Sequence, residues 1–146
     1  MAVKVKSITL WRREVDNRPG ALAETLSPLA GAGANLQVVM GYRYPGDEGR
    51  AAIELYPVAG KKVSAAARAA GLTASSIPTL LVEGDDRPGL GYALARSLAG
   101  AGINLSFLVA QVIGRRYTGI FGFESATDAQ RAAGLIKKVK ASGKRK

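Results

Sequence analysis

Two residue types are missing altogether from this 146-residue chain, which has no cysteine and no histidine. Without cysteine there is no disulfide scaffold and no thiolate metal site. Without histidine, the commonest metal ligand and the commonest general base at neutral pH are both gone. Hydrolytic triads and Cys/His zinc sites are therefore excluded together. The carboxylates, lysines and hydroxyls that remain show no catalytic spacing, so no catalytic residue, metal site or cofactor is expected. Met1 to Lys6 contain no apolar run long enough for a signal peptide or a membrane span, which predicts a cytoplasmic protein with no membrane partner. Acidic residues are absent from the last ten positions, where Lys137, Lys138, Lys140, Lys144, Arg145 and Lys146 carry six of the ten net positive charges. The charge is thus concentrated in a tail, read here as a solvated, solubilising end rather than a polyanion site.

What is present reads as globular, with 47% hydrophobic and 22% charged residues. The chain says the same thing twice. Asp16-Asn17-Arg18-Pro19-Gly20 returns 69 residues later as Asp85-Asp86-Arg87-Pro88-Gly89. At the same offset, Ala30-Gly31-Ala32-Gly33-Ala34-Asn35-Leu36 returns as Ala99-Gly100-Ala101-Gly102-Ile103-Asn104-Leu105. A third echo joins Ala69-Ala70-Gly71-Leu72 to Ala132-Ala133-Gly134-Leu135. Each repeat of about 70 residues would bury only roughly 60% of its unfolded surface, so two such units are expected to share an interface.

Each repeat reads as strand, helix, strand, strand, helix. A first strand over Val5–Val15 ends at the Pro-Gly turn, and proline, with φ preset and no N–H, suits the first helical position at Pro19 and Pro88. Leu22, Leu26 and Leu29 share one helical face, as do Leu90, Leu94 and Leu98. Gly31/Gly33 and Gly100/Gly102 end the helices in left-handed conformations. Second strands follow, with Leu36, Val38, Met40 and Tyr42 alternating in one repeat and Leu105–Ile113 as the counterpart. Turns at Pro45–Gly49 and Gly114–Arg116 lead to strands Ala51–Tyr56 and Tyr117–Phe123. Alanine-rich helices lie near Lys61–Ala70 and Thr127–Lys138, and a short strand near Leu72–Ile77 closes repeat one. The pattern is βαββαβ, which predicts an α+β protein of two ferredoxin-like domains, residues 1–77 and 78–146, with antiparallel sheets and helices on one face. Pro28 inside the first helix and the lack of a clear fourth strand in repeat two fit this pattern poorly.

The Asp-x-Arg-Pro-Gly turn after a strand, with Ala-Gly-x-Asn-Leu fifteen residues on, resembles the ACT domain family, and both landmarks occur in both copies. The resemblance implies tandem ACT domains that sense an amino acid for a biosynthetic enzyme, without a catalytic domain of their own, assembled as a homo-oligomer such as a dimer. It also implies paired units with sheets edge to edge. A small amino acid would then lie between the strand-to-helix loop of one unit and the second strand of the other. Carried over, the candidate ligand-binding residues are Asp16, Asn17, Arg18, Gly20, Ala21 and Leu22 in one loop, Asp85, Asp86, Arg87, Gly89 and Leu90 in the other, and Asn35 and Asn104 on the strands.

Physical chemistry supports these types. A helix start presents unsatisfied N–H groups and partial positive charge to a carboxylate, and glycine lets a ligand approach. Asparagine offers an acceptor and two donors, and aspartate suits an ammonium. The same residues also suit ordinary turns: Asp16-Asn17 and Asp85-Asp86 as caps, Arg18 and Arg87 as extended, solvated residues before proline, and the asparagines as left-handed turns. Trp11 reads as a core or interface aromatic. Two other functions stand beside sensing. One is a regulatory subunit that touches an enzyme without a ligand of its own. The other is RNA binding, since RNA-recognition modules share this topology and Arg116–Phe123 echoes one of their aromatic strands; nucleic acid is the less favoured partner, because Ala51-Ala52-Ile53-Glu54 cannot stack bases.

Overall fold

The computed structural model of the chain describes residues 3–139, so the basic tail from residue 140 onward lies outside the described residues. In chain order the elements are β1 Lys4–Ile8, β2 Trp11–Asp16, α1 Ala21–Gly31, β3 Val38–Tyr44, β4 Asp47–Tyr56, α2 Lys61–Ala69, β5 Thr73–Ala74, β6 Thr79–Asp85, α3 Leu90–Gly100, β7 Leu105–Ile113, β8 Arg116–Phe123 and α4 Ala126–Lys137. They form two antiparallel four-stranded sheets, ordered β3-β4-β2-β5 and β1-β6-β8-β7. This is the α+β, tandem ferredoxin-like arrangement expected of ACT-type domains.

The division between the units is not linear. Thr9–Ser76 form one compact unit, while the strand before them joins Ile77 and the residues after it in the other. The expected single strand Val5–Val15 is in fact two, and the expected boundary between residues 77 and 78 gives way to this interleaved one. The reason lies in the second sheet. No strand follows α4 within the described residues to cover the outer edge of β6, and β1 pairs there instead, from Lys4 opposite Glu83 to Ile8 opposite Thr79. The fourth strand that repeat two lacks is thus supplied from the start of the chain. In repeat one that position is filled locally by β5, which pairs with β2 at Trp11 and Arg12.

The core of the first-repeat unit is built from Val15, Ala21, Leu29, Ile53, Leu55, Ala67 and Leu72. Strand alternation sends Val15, Ile53 and Leu55 toward the helices and Arg12, Glu14, Ala52 and Glu54 to the opposite face. Trp11 packs against this core with Arg68 over its ring, 5.6 Å from the centroid. The second-repeat core is larger and more aromatic, with Leu80, Val82, Leu90, Leu94, Leu98, Tyr117, Phe121 and Phe123. Phe121 and Phe123, the aromatics of the RNA-like echo, are only 1% exposed within it and cannot stack bases.

Both helix starts differ from expectation. Gly20 (φ 94°) and Gly89 (φ 82°) are left-handed N-caps rather than helical residues, and Pro19 and Pro88 stand just outside the helices. The positive φ accounts for glycine at both places. At the other end Gly33 (φ 83°) and Gly102 (φ 72°) are left-handed, whereas Gly31 and Gly100 are the last helical residues. The helix continues through Pro28 for three more residues. No residue other than glycine has positive φ among those described, so Asn35 and Asn104 are not left-handed turns.

The buried face of α1 is also shifted from the leucine pattern. Ala21, Thr25 and Leu29 are the buried residues, and Leu22 is 43% exposed. These three stand 69 residues before Leu90, Leu94 and Leu98, the buried face of α3. Ala21 and Thr25 in repeat one thus occupy positions held by leucine in repeat two, and the third position is leucine in both. Thr25 is buried with its hydroxyl satisfied, donating to the Ala21 carbonyl (2.9 Å) and accepting from Arg13 Nη1 (2.8 Å).

Candidate functional site

Alanine in place of leucine at position 21, on the inner face of α1, leaves space beneath the start of that helix. A cavity of about 320 Å³ lies there, wholly within the first-repeat unit. Its floor is Val15, Ala51, Ala52 and Ile53 of β2 and β4, and its sides are Asp16, Asn17, Arg18, Ala21 and Leu22 on the loop and helix, with Gly41, Tyr42 and Arg43 on β3. Gly41 faces Ile53 and Arg43 faces Ala51 across the β3–β4 ladder. A Cβ placed on Gly41 would meet nothing within 4 Å, so the missing side chain contributes directly to the opening.

The polar rim is pinned by the chain around it. Asn17 donates from Nδ2 to the Glu48 carbonyl (2.8 Å), and its backbone N–H donates to the Gly49 carbonyl (2.9 Å). These bonds tie the loop to the β3–β4 hairpin. Arg18 donates to both carboxylate oxygens of Glu24, at 2.5 and 3.0 Å. That fork, and then its charge, hold the Glu24 carboxyl below its ordinary value and the Arg18 guanidinium above its own. Asp16 accepts from Arg50 Nη1 at 2.9 Å. No side chain caps the first turn of α1; the Ala21 N–H donates to the Arg18 carbonyl (3.3 Å), and the acid of that turn, Glu24, is held by Arg18. Arg43 has no hydrogen-bond or ion-pair partner among the described residues. The site therefore combines an apolar floor, an uncapped helix start and an unpaired guanidinium.

Tyr42 is held from the far side of the sheet. Its hydroxyl donates to Glu54 Oε2 at 2.6 Å, and burial followed by that carboxylate raises the phenol's pKa. Glu54 is 2% exposed; Arg12 Nε stands 3.9 Å from the same oxygen, while Oε1 has no partner among the described residues. Arg12 in turn hydrogen-bonds the Tyr44 hydroxyl and Glu14. This network lies on the helix-free face and braces the strand that carries Gly41 and Arg43.

Sequence reasoning named Asp16, Asn17, Arg18, Ala21 and Leu22, and the structure gathers all five around the cavity, with Gly20 as the adjoining cap. It does not bring Asn35 to them. Asn35 lies beyond the opposite end of α1, an 11-residue helix about 16 Å long. Most of the second-repeat residues are already engaged. Asp85 accepts from Arg116 (3.2 Å), the Asp86 N–H donates to the Arg115 carbonyl (2.8 Å), and Arg87 is engaged within the protein. Leu90 is core, and Asn104 donates to Glu124 Oε2 (3.0 Å). Gly89 repeats the left-handed, uncapped start. The residues missed from the sequence are Gly41, Arg43, Ala51 and Ile53. An isolated glycine inside an alternating strand was the available signal, since it marks a close approach or a gap. Among the described residues no cluster of three or more acidic side chains is placed to hold a metal ion, and no helix is long and apolar enough to cross a membrane.

Fold and site together define a tandem ferredoxin-like protein with a ligand-sized cavity at one strand-to-helix turn. No protein-family model and no curated protein matches the sequence. Solved structures do match over nearly the whole chain. A protein of Bacteroides thetaiotaomicron is 12% identical with a TM-score of 0.71, the match covering 92% of this chain and 98% of that one. The ligand-free regulatory subunit of aspartate kinase from Thermus thermophilus is 17% identical with a TM-score of 0.59, covering 93% and 97%. The aspartate kinase of Clostridium acetobutylicum is 10% identical with a TM-score of 0.54; the match spans 94% of this chain but 34% of that enzyme. At these identities the likeness establishes the fold.

Proposed function

We propose that this protein is a non-catalytic regulatory protein that binds a small L-amino acid in the first-repeat cavity and reports its occupancy to a biosynthetic enzyme. The observation that carries this reading is the cavity itself, with its apolar floor, uncapped helix start and unpaired Arg43 converging on one opening. The ligand carboxylate would lie on the first-turn N–H groups of α1 and on Arg43. Its aliphatic side chain would cover Ala51 and Ile53, and Asp16 would draw the ammonium. A volume of about 320 Å³ sits at the small end of ligand sites, which favours a single amino acid over a nucleotide-sized cofactor. The regulatory output is supported by the fold shared with aspartate kinase regulatory subunits. The family resemblance adds a homo-oligomer and a second wall, with Asn104 from the opposing repeat at the ammonium.

A thermal-shift panel of the twenty L-amino acids tests the reading. A ligand at 100 times its dissociation constant adds about 2.7 kcal/mol of apparent stability. Arg43→Ala should weaken binding by roughly tenfold to a hundredfold, the equivalent of a lost charged hydrogen bond. Asn104→Ala tests the second wall, and Asn35→Ala, at the far end of α1, serves as its control. No response to any of the twenty amino acids would leave a protein-contact regulator as the surviving function.

A further inference from the structure

The two repeats share a backbone and a turn motif, yet they fill the space beneath the helix start differently. The 69-residue offset maps Ala21 onto Leu90, and the strand ladders map Ala51 onto Tyr117. The second pair follows from register: Arg43 faces Ala51, and Val112, 69 residues after Arg43, faces Tyr117; likewise Asp16 faces Arg50, and Asp85 faces Arg116, so β8 follows β4 by 66 residues. Leu90 is 3% exposed and Tyr117 7%, both within one hydrophobic core. A Cβ on Gly119, the neighbour of Tyr117 on the same face of β8, would stand 3.2 Å from both the Tyr117 ring and its hydroxyl. The tyrosine ring therefore lies over Gly119, the counterpart of Ile53, and covers the stretch of β8 that corresponds to the Ala51–Ile53 floor of repeat one. Gly41, by contrast, has nothing within 4 Å of where its Cβ would be.

We infer that the two turn motifs are functionally unequal: repeat one holds the binding site, and repeat two is a closed copy in which Tyr117 and Leu90 occupy the place of the ligand's side chain. The inference rests on the amino-acid reading above and adds to it a stoichiometry of one ligand per chain and two selectivity positions, Ala21 and Ala51. Alanine at both admits an aliphatic side chain, and the residues of repeat two at the same places exclude it. The repeat-two turn, with Gly89 intact and Leu90 buried beneath it, serves the fold alone.

The test transfers the closing residues to repeat one in the full chain. Calorimetric titration of the wild-type protein, with whichever of the twenty L-amino acids shifts its melting most, should give one molecule per chain. Ala51→Tyr and Ala21→Leu should each abolish the ligand-induced shift while the melting temperature without ligand holds or rises. Tyr117→Phe, which keeps the ring, should leave binding unchanged. Should Ala51→Tyr fail to fold, Ala21→Leu carries the same test through a different wall. Two molecules per chain, or one whose binding survives both alanine substitutions, would overturn the inference while leaving the amino-acid reading intact. A wild-type protein that responds to none of the twenty would overturn that reading, and the inference with it.

Discussion

Gly41 is where stability and binding should part company. It lies in β3 with ordinary strand backbone, and its missing side chain opens onto the cavity rather than onto a neighbour. Glycine in a strand interior costs roughly 0.5–1 kcal/mol against alanine, because the unfolded chain is freer and nothing packs. Valine at this position removes that cost, matches the pleated surface, and places its methyls against Ile53 and Leu22 at roughly 0.8 kcal/mol per fully buried carbon. The cavity is open on one side, so about half that figure applies, and Gly41→Val should stabilise the ligand-free protein by about 1–2 kcal/mol. For a unit of this size each kcal/mol raises the melting temperature by roughly 4–8 °C. The same methyls fill the volume a ligand side chain would use, so affinity should fall as stability rises. Urea unfolding gives the first quantity, and calorimetric titration with the best amino acid of the panel gives the second. A lower melting point would show that the position is not open. A higher one with unchanged affinity would place the ligand elsewhere.

Three further outcomes follow from the packing and the charges. Gly122→Ala would put a Cβ about 2.1 Å from the Phe107 ring, driving that ring off the sheet; the expected cost of about 1–3 kcal/mol should shrink in the double variant with Phe107→Ala, and full additivity would contradict the contact. Ser125 caps α4 by accepting from the Asp128 N–H at 3.1 Å, so Ser125→Ala should cost about 0.5–2 kcal/mol and speed amide exchange in the first turn of α4 specifically. Glu24 titrates below its ordinary 4.5 because Arg18 hydrogen-bonds it and then attracts its charge. A depressed carboxyl stabilises the fold above its unfolded value, and that contribution is lost as pH falls through the folded one. In a carbon NMR titration, Arg18→Leu or high salt should move the Glu24 midpoint back up, and a midpoint that stays in place would refute the fork.

The fold was largely legible because it is written locally and written twice. Asp-x-Arg-Pro-Gly marks a turn whatever surrounds it, and β7 runs from Leu105 to Ile113 where alternation places it. Legibility ended where residues of similar character compete. Leu22, Leu26 and Leu29 satisfy helical periodicity as well as Ala21, Thr25 and Leu29 do, and hydrophobicity alone favours the leucines. Only the packing of α1 on β2 and β4, with Arg13 reaching Thr25, reveals which set is inside. The aromatic strand of repeat two posed the same question, since period-two alternation does not say which face meets the helices.

By itself the sequence determined the repeat, the strand-helix-strand-strand-helix run of each copy, the turns at the two Pro-Gly motifs and the exclusion of Cys/His chemistry, because each follows from short-range backbone preference or from composition. Tertiary structure decided the rest. The N-terminal strand crosses to the second sheet because an open edge on β6 offers hydrogen bonds that no later strand among the described residues supplies. The cavity exists because the side chains at Ala21, Gly41 and Ala51, distant in sequence, are small at the same point in space. No local rule connects three small residues on three different elements, and only their packing makes them one site.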